Sequence, residues 1–302
     1  MKTKHWPDKT ERQKRFGSVP PTPGNKPIHK EEMTDLQNMP HDFLFALDSV
    51  GICNVKHPLM IHSDLKPYEQ TTVGTFSLTT SLEQRSKGIN MSRLTEVLHE
   101  YHQAGFTLNF NNLQAFTADL AGRMEQSSAH VHVTFPWFFA RHSPALNKIG
   151  LGHAEALIKV HFDQASGFTH EVGLTAAVTT LCPCSKEISE YSAHNQRGYV
   201  TMNAELYDPT VGSSDWKVTL LQAAESNASS ILYPVLKRPD EKAVTEKAYE
   251  NPRFVEDMVR LIAADLYEDE TIKAFTVACR NEESIHQHDA IATLTYSKDR
   301  RP

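Results

Sequence analysis

The chain has 302 residues, 39% of them hydrophobic and 23% charged, with a formal net charge of -6. That is an ordinary globular composition, long enough for one large domain or two small ones. The acidic balance argues against a general nucleic-acid binder, while a local cluster of Lys and Arg can outweigh the average and leave a phosphorylated substrate open.

The start, MKTKHWPDKTERQKRF, lacks the apolar run of a signal peptide, and no segment approaches the roughly 20 apolar residues of a membrane helix. The expectation is a cytoplasmic protein with reduced thiols and no membrane or nucleic-acid partner. Residues 1–40 carry Pro7, Pro20, Pro21, Pro23, Pro27 and Pro40 among many charges and few large apolar side chains. Such a Pro-rich arm cannot bury enough surface to fold alone, and is expected to be flexible or laid over a neighbouring surface.

Two extended stretches follow, DFLFALDSVGICNVKHPLMI and YEQTTVGTFSLTTSL, and then two helical ones, SRLTEVLHEYHQ and NNLQAFTADLAGRME. In the second helix Leu113, Phe116, Leu120 and Met124 share one face. The next two stretches alternate with the period of a half-buried strand: Val131, Val133 and Phe135, then Ala156, Ile158, Val160 and Phe162.

The same order returns in the second half. THEVGLTAAVTTL and RGYVTMNAEL read as strands, the latter with Val200, Met202, Ala204 and Leu206 alternating. SSDWKVTLLQAAESNA and NPRFVEDMVRLIAADLYED read as helices. Asn251 is the expected N-cap of the latter, Pro252 its first position, and Phe254, Met258, Leu261 and Ile262 its core face. IKAFTVACR and DAIATLTYS close the chain as strands. The fold class is therefore α+β: ββααββ twice, residues 41–166 and 167–302, with antiparallel hairpins packed under pairs of helices.

The stretch LCPCSKEISEYSAHNQRG, Leu181 to Gly198, concentrates the chemistry. Cys182 and Cys184 are too close for an unstrained disulfide. A structural zinc site wants a second cysteine pair. Cys53 and Cys279 instead stand alone in strand-like runs, where a small apolar core residue is expected. A catalytic metal site needs fewer protein ligands and an open position for water. Cys182 and His194 supply two ligands if the segment between them folds back.

Three other stretches are weaker alone. NEESIHQHDA offers Glu283 and His286 for proton transfer, yet by itself it reads first as a polar hairpin turn with two exposed histidines. HVH at 130–132 reads as the outward face of a strand rather than a ligand pair. LKRPDEKAVTEKAYENPRFVEDMVR places Lys237, Arg238, Lys242 and Lys247 beside Glu241 and Glu246, which composition alone reads as a solvated loop entering a helix. Glu256 then sits in that helix's first turn, where a carboxylate suits the helix dipole. QRSKGINMSR sets Arg85, Lys87 and Arg93 around a glycine ahead of a helix, a weak phosphate-cradle signal.

Together these stretches resemble the type IB family of prokaryotic GTP cyclohydrolase I, over most of residues 41–302. One departure is Ile89-Asn90, where the family pattern places Thr-His or Ile-His. The resemblance implies the tunnelling fold in two tandem copies, an oligomeric barrel, and a homotetramer with active sites at subunit interfaces. It implies hydrolysis of GTP at guanine C8, loss of formate, and reclosure to 7,8-dihydroneopterin triphosphate, the entry to folate-type pterin synthesis. It further implies a divalent ion, Zn²⁺, Mn²⁺ or Fe²⁺, held by Cys182, His194 and Glu241, with Glu283 and His286 as proton carriers. Glu256 becomes the anchor for the guanine base. Lys186, Arg197, Lys237, Arg238, Arg85, Lys87 and Arg93 are the groups available to the triphosphate. Two alternatives stay open at this point: a tunnelling-fold nitrile reductase that uses a cysteine nucleophile with NADPH, and a non-enzymatic pterin- or metal-binding module.

Overall fold

A computed structural model describes residues 6–21, 24, 26–37, 39–210 and 215–299. Eight strands form one antiparallel sheet in chain order: β1 Leu47–His62, β2 Glu69–Leu82, β3 Ser128–His142, β4 Ile149–Asp163, β5 Gly167–Leu181, β6 Asn195–Leu206, β7 Ile272–Glu282 and β8 Ala290–Ser297. Helices α2 (Met91–Gln103) and α3 (Phe110–Arg123) lie between β2 and β3 in the chain. A short α4 (Pro183–Ile188) separates β5 from β6. Helices α5 (Trp216–Ser226), α6 (Arg238–Glu250) and α7 (Val255–Glu268) lie between β6 and β7.

The alternation along each strand gives the sheet one apolar face, and the helices cover it. Val131, Val133, Phe135, Ala156, Ile158, Val160, Val200, Met202 and Ala204 are buried there against Leu113, Phe116 and Leu120 of α3 and Leu220, Met258 and Ile262 of α5 and α7. The opposite face carries a polar set that includes His130, His132, Lys159, Glu171 and Thr201, with Lys159 paired to Glu171 across β4 and β5. The HVH pair thus lies on the face away from the helices.

The sheet runs without a break across the β4–β5 turn. Asp163 Oδ1 accepts the backbone N–H groups of Ala165 (2.9 Å) and Ser166 (3.0 Å), and Gly167 takes φ +81°, which a side chain would strain.

Several expectations change. Asn251 is not the N-cap of α7. Its side-chain amide donates back to Lys247 O, so it closes α6 instead, and α7 opens at Phe254, whose N–H is accepted by Asp257. The core stripe of α7 is consequently Val255, Met258, Val259, Ile262, Ala263 and Leu266, while Phe254 and Leu261 are exposed. The segment read as a solvated loop is helix α6, with Pro239 in its first turn. Cys53 is exposed rather than a core residue, because the β1–β2 register shifts between Ile52 and Val55, and Asn54 has φ +60°. Cys279 is buried.

The described part of the arm lies on the chain's own first half. It carries a short helix, α1 (Lys9–Arg15), started by Asp8. Trp6 stacks on Phe45 at 4.9 Å, and Phe16 meets Phe43 at 5.6 Å. The N–H groups of His41 and Phe43 donate to the carbonyls of Arg85 and Gln84.

Candidate active site

Cys182 follows the last residue of β5 and is the N-cap of α4, where Pro183 suits the first helical position. Its sulfur accepts the Ser185 N–H at 3.4 Å. The polar run after α4 folds back, as a shared site for Cys182 and His194 requires: Cys182 N–H donates to His194 O at 3.1 Å. Ser185 ties both ends, since its hydroxyl donates to Cys182 O (3.2 Å) and accepts from His194 N–H (3.2 Å).

The His194 ring is held in turn by β6. Its Nδ1 lies 3.0 Å from Gln196 Oε1, and Gln196 Nε2 donates to Thr180 Oγ1. Glu283 arrives from the β7–β8 hairpin, because the β6–β7 register sets Arg197 against Glu282 and Gly198 against Asn281. Gly198 is needed for that approach: a Cβ there would stand 2.9 Å from Asn281 Oδ1. His286 is exposed and stacks on His288 at 4.9 Å; its N–H closes the turn on Glu283 O.

The start of α7 is fastened to the same place. Arg253 N–H donates to Leu181 O, next to Cys182, and Leu181 N–H donates to the buried Ser229 hydroxyl. Glu256 follows three residues later, exposed in the first turn of α7. Lys186 is engaged by α6, donating to Tyr249 O with its ammonium 4.3 Å from the Tyr249 ring centroid.

Glu241, Lys237 and Arg238 are exposed at the start of α6. Arg197 is exposed on β6. Arg85 and Lys87 sit in the β2–α2 connection and Arg93 in the first turn of α2, in the first half of the chain. Among the described residues, no hydrogen bond or ion pair joins Glu241 or these basic groups to Cys182, His194 or Glu283. The chain by itself therefore assembles Cys182, His194 and Glu283, with the segment leading into α7 fastened beside Cys182 through Arg253.

Ser185, Gln196 and Asp240 are the residues the sequence reading passed over. Asp240 is fully buried. Burial raises its carboxyl, but the N–H groups of Leu146, Lys237 and Ala145 outweigh that and hold it at about 2. The signal for Ser185 and Gln196 was their place inside the motif itself.

The comparisons with known proteins agree with one another. Residues 33–292 match the family model described as type I GTP cyclohydrolase folE2. A protein of Halalkalibacterium halodurans named GTP cyclohydrolase FolE2 is 84% identical, over 99% of this chain and all of that one. The protein of the same name from Bacillus subtilis is 58% identical over 97% of this chain and 96% of its own length. Among solved structures, uricase from Arthrobacter globiformis superposes with a TM-score of 0.50 at 8% identity, covering 84% of this chain and 95% of that one, and so shares the tunnelling fold alone. The chain belongs to the type I GTP cyclohydrolase FolE2 family.

Proposed function

We propose that this protein hydrolyses GTP at guanine C8, releasing formate and reclosing the ring to 7,8-dihydroneopterin triphosphate for folate-type pterin synthesis in the cytoplasm. The meeting of Cys182, His194 and Glu283 is the observation that carries the residue assignment, and the relatives named GTP cyclohydrolase disfavour the nitrile reductase and the binding module.

Glu256 accepts both N1–H and the 2-amino group of guanine, a bidentate match that adenine lacks. Glu283 takes and returns the proton as water adds and the imidazole ring opens, with His286 as the second carrier. Both carriers sit on one hairpin, so a single element sets their approach to the base.

The donor chemistry fits a divalent ion: a backbone hydrogen bond brings a cysteine and a histidine together, and His194 spends Nδ1 on Gln196, leaving Nε2. Among the described residues no three His, Cys, Asp or Glu side chains of the single chain are grouped to hold an ion. Cys182 and His194 would hold it, with Glu241 as the third ligand. Sulfur and nitrogen suit Zn²⁺ or Fe²⁺, and the carboxylate admits Mn²⁺. A bound ion supplies Lewis acidity that brings the pKa of water to about 7 in favourable sites.

The assembly we infer is a homotetramer with interfacial sites. β1 and β8 each pair on one side only among the described residues. Ile188, Tyr191 and Ile285, close in sequence to Cys182 and Glu283, are 84%, 93% and 62% exposed. Arg85, Lys87 and Arg93 of one copy are then available to the triphosphate in the site of another. No helix among the described residues is long and apolar enough to cross a membrane.

The test is turnover of GTP by chelator-stripped protein with and without Mn²⁺ or Zn²⁺, following formate and pterin fluorescence together. Metal-dependent appearance of both is the expected result. Neither product under any metal overturns the reading.

A further inference from the structure

Lys237 and Arg238, two of the groups available to the triphosphate, and Glu241 all sit exposed at the start of α6. Long charged side chains on a free helix end have no fixed direction, and ordering each on binding costs rotamer entropy. Between them lies Asp240, which is completely buried. Its two oxygens have separate backbone partners, and the Ser143 side chain of the same loop also hydrogen-bonds the carboxylate. Oδ2 accepts Lys237 N–H at 3.0 Å and closes the first turn of the helix. Oδ1 accepts the N–H groups of Ala145 and Leu146, both at 2.9 Å, and joins the helix to the β3–β4 loop.

That loop is a firm platform. Ser143 N–H donates to Lys148 O, Lys148 N–H to the Ser143 hydroxyl, and Asn147 N–H to Ser143 O. A helix that merely had to begin here would be served by Ser, Thr or Asn at the N-cap. The N-cap is Lys237 instead, which has no side-chain acceptor, and the acceptor comes from a carboxylate withdrawn from water at a desolvation cost.

We propose that Asp240 is a positioning residue for polyphosphate: by fastening the first turn of α6 to the Ser143–Lys148 loop it aims Lys237 and Arg238 at the phosphates of the substrate. This rests on the reading of those two cations as triphosphate ligands.

Asp240→Asn separates the two halves of the device. The retained Oδ1 still accepts from Ala145 and Leu146, while an NH₂ group now faces Lys237 N–H, so the helix start is released and the loop contact kept. In the full-length, metal-loaded protein, KM for GTP and the inhibition constant of inorganic tripolyphosphate are expected to rise about tenfold. The inhibition constant of guanosine, which has no phosphates, stays within about twofold, because its anchor lies on α7. Equal weakening of guanosine and tripolyphosphate, or unchanged tripolyphosphate binding, overturns the proposal. A Lys237→Ala/Arg238→Ala double variant tells the two failures apart: unchanged tripolyphosphate binding there overturns the triphosphate reading and the proposal with it.

A second measurement avoids any folding defect of the variant. Amides of a helix's first turn ordinarily exchange fast, since they have no intrahelical acceptor. In the unliganded wild-type protein, single-amide hydrogen exchange by mass spectrometry should find Lys237 N–H protected. Free exchange at Lys237 overturns the proposal.

Discussion

The Nδ1 atom of His194 lies 4.0 Å from a carboxylate oxygen of Glu283, with the two side chains 15% and 14% exposed. The separation is longer than a hydrogen bond, and Gln196 Oε1 at 3.0 Å is the nearer partner of that nitrogen. Glu283 is thus beside the imidazole without being consumed by it, and its carboxylate stays available to a substrate proton. Glu283→Gln keeps the size and removes the base. The expected result is a kcat lower by about 10²- to 10⁴-fold, with KM for GTP within about threefold. Steady-state kinetics on protein of unchanged melting temperature checks this, and a rise in KM at constant kcat would reassign Glu283 to binding.

Helix α7 offers a direct comparison of two neighbours. Ile262 is fully buried under the sheet, whereas Leu261 is 38% exposed. Ile262→Ala should cost about 2–5 kcal/mol, by lost transfer energy and the cavity left behind. Leu261→Ala should cost less than about 1 kcal/mol. Urea unfolding at one fixed protein concentration measures both, since oligomer dissociation would otherwise shift the midpoints.

This pair also shows where the sequence was legible. The strands were, because Val200, Met202, Ala204 and Leu206 alternate and all four are buried. Helix α7 was visible, but its rotation was not, since that depends on which residue starts the helix, and Asn251 had a competing use at the end of α6. Helix α6 hid because it buries only Asp240 and Ala248, which leaves no apolar stripe to read. In the site, the Cys182–His194 closure was legible, since both residues lie in one short polar segment that has only to fold back. The approach of Glu283 was not, because it is fixed by the Arg197–Glu282 register of two strands far apart in the chain.

The turn that joins β4 to β5 predicts a pH dependence of stability. Hydrogen bonds from Ser166 N–H, Ala165 N–H and the Ser166 hydroxyl hold the Asp163 carboxyl below the ordinary carboxylate range. A folded value below the unfolded one, about 3.9, means that the native state binds the proton less tightly. Its contribution is therefore complete above about pH 4 and is lost as the pH falls through the folded value. Asp163→Ala should lower the melting temperature at pH 7, and the gap from wild type should narrow below pH 4. A gap constant with pH would mean that the turn gains nothing from the charge.

The four cysteines differ enough in surroundings for labelling to test the metal assignment. Burial pushes the Cys279 thiol up to about 12, and Cys279 is 1% exposed, so neither thiolate nor access is available. Cys184 is exposed and Cys182 is half-buried. Cys53 is exposed as well, so native protein treated with iodoacetamide at pH 8 and read by mass spectrometry should carry the label on Cys53 and Cys184, while Cys279 stays unmodified until the chain is denatured. Cys182 should label in chelator-stripped protein and be protected once Zn²⁺ is restored, because a coordinated sulfur has given its lone pair to the ion. Cys184, two residues away, serves as the internal control for access. Protection of Cys182 without change at Cys184 supports the ligand role. Equal labelling of Cys182 with and without metal would leave it only the structural work of starting α4 and accepting the Ser185 N–H.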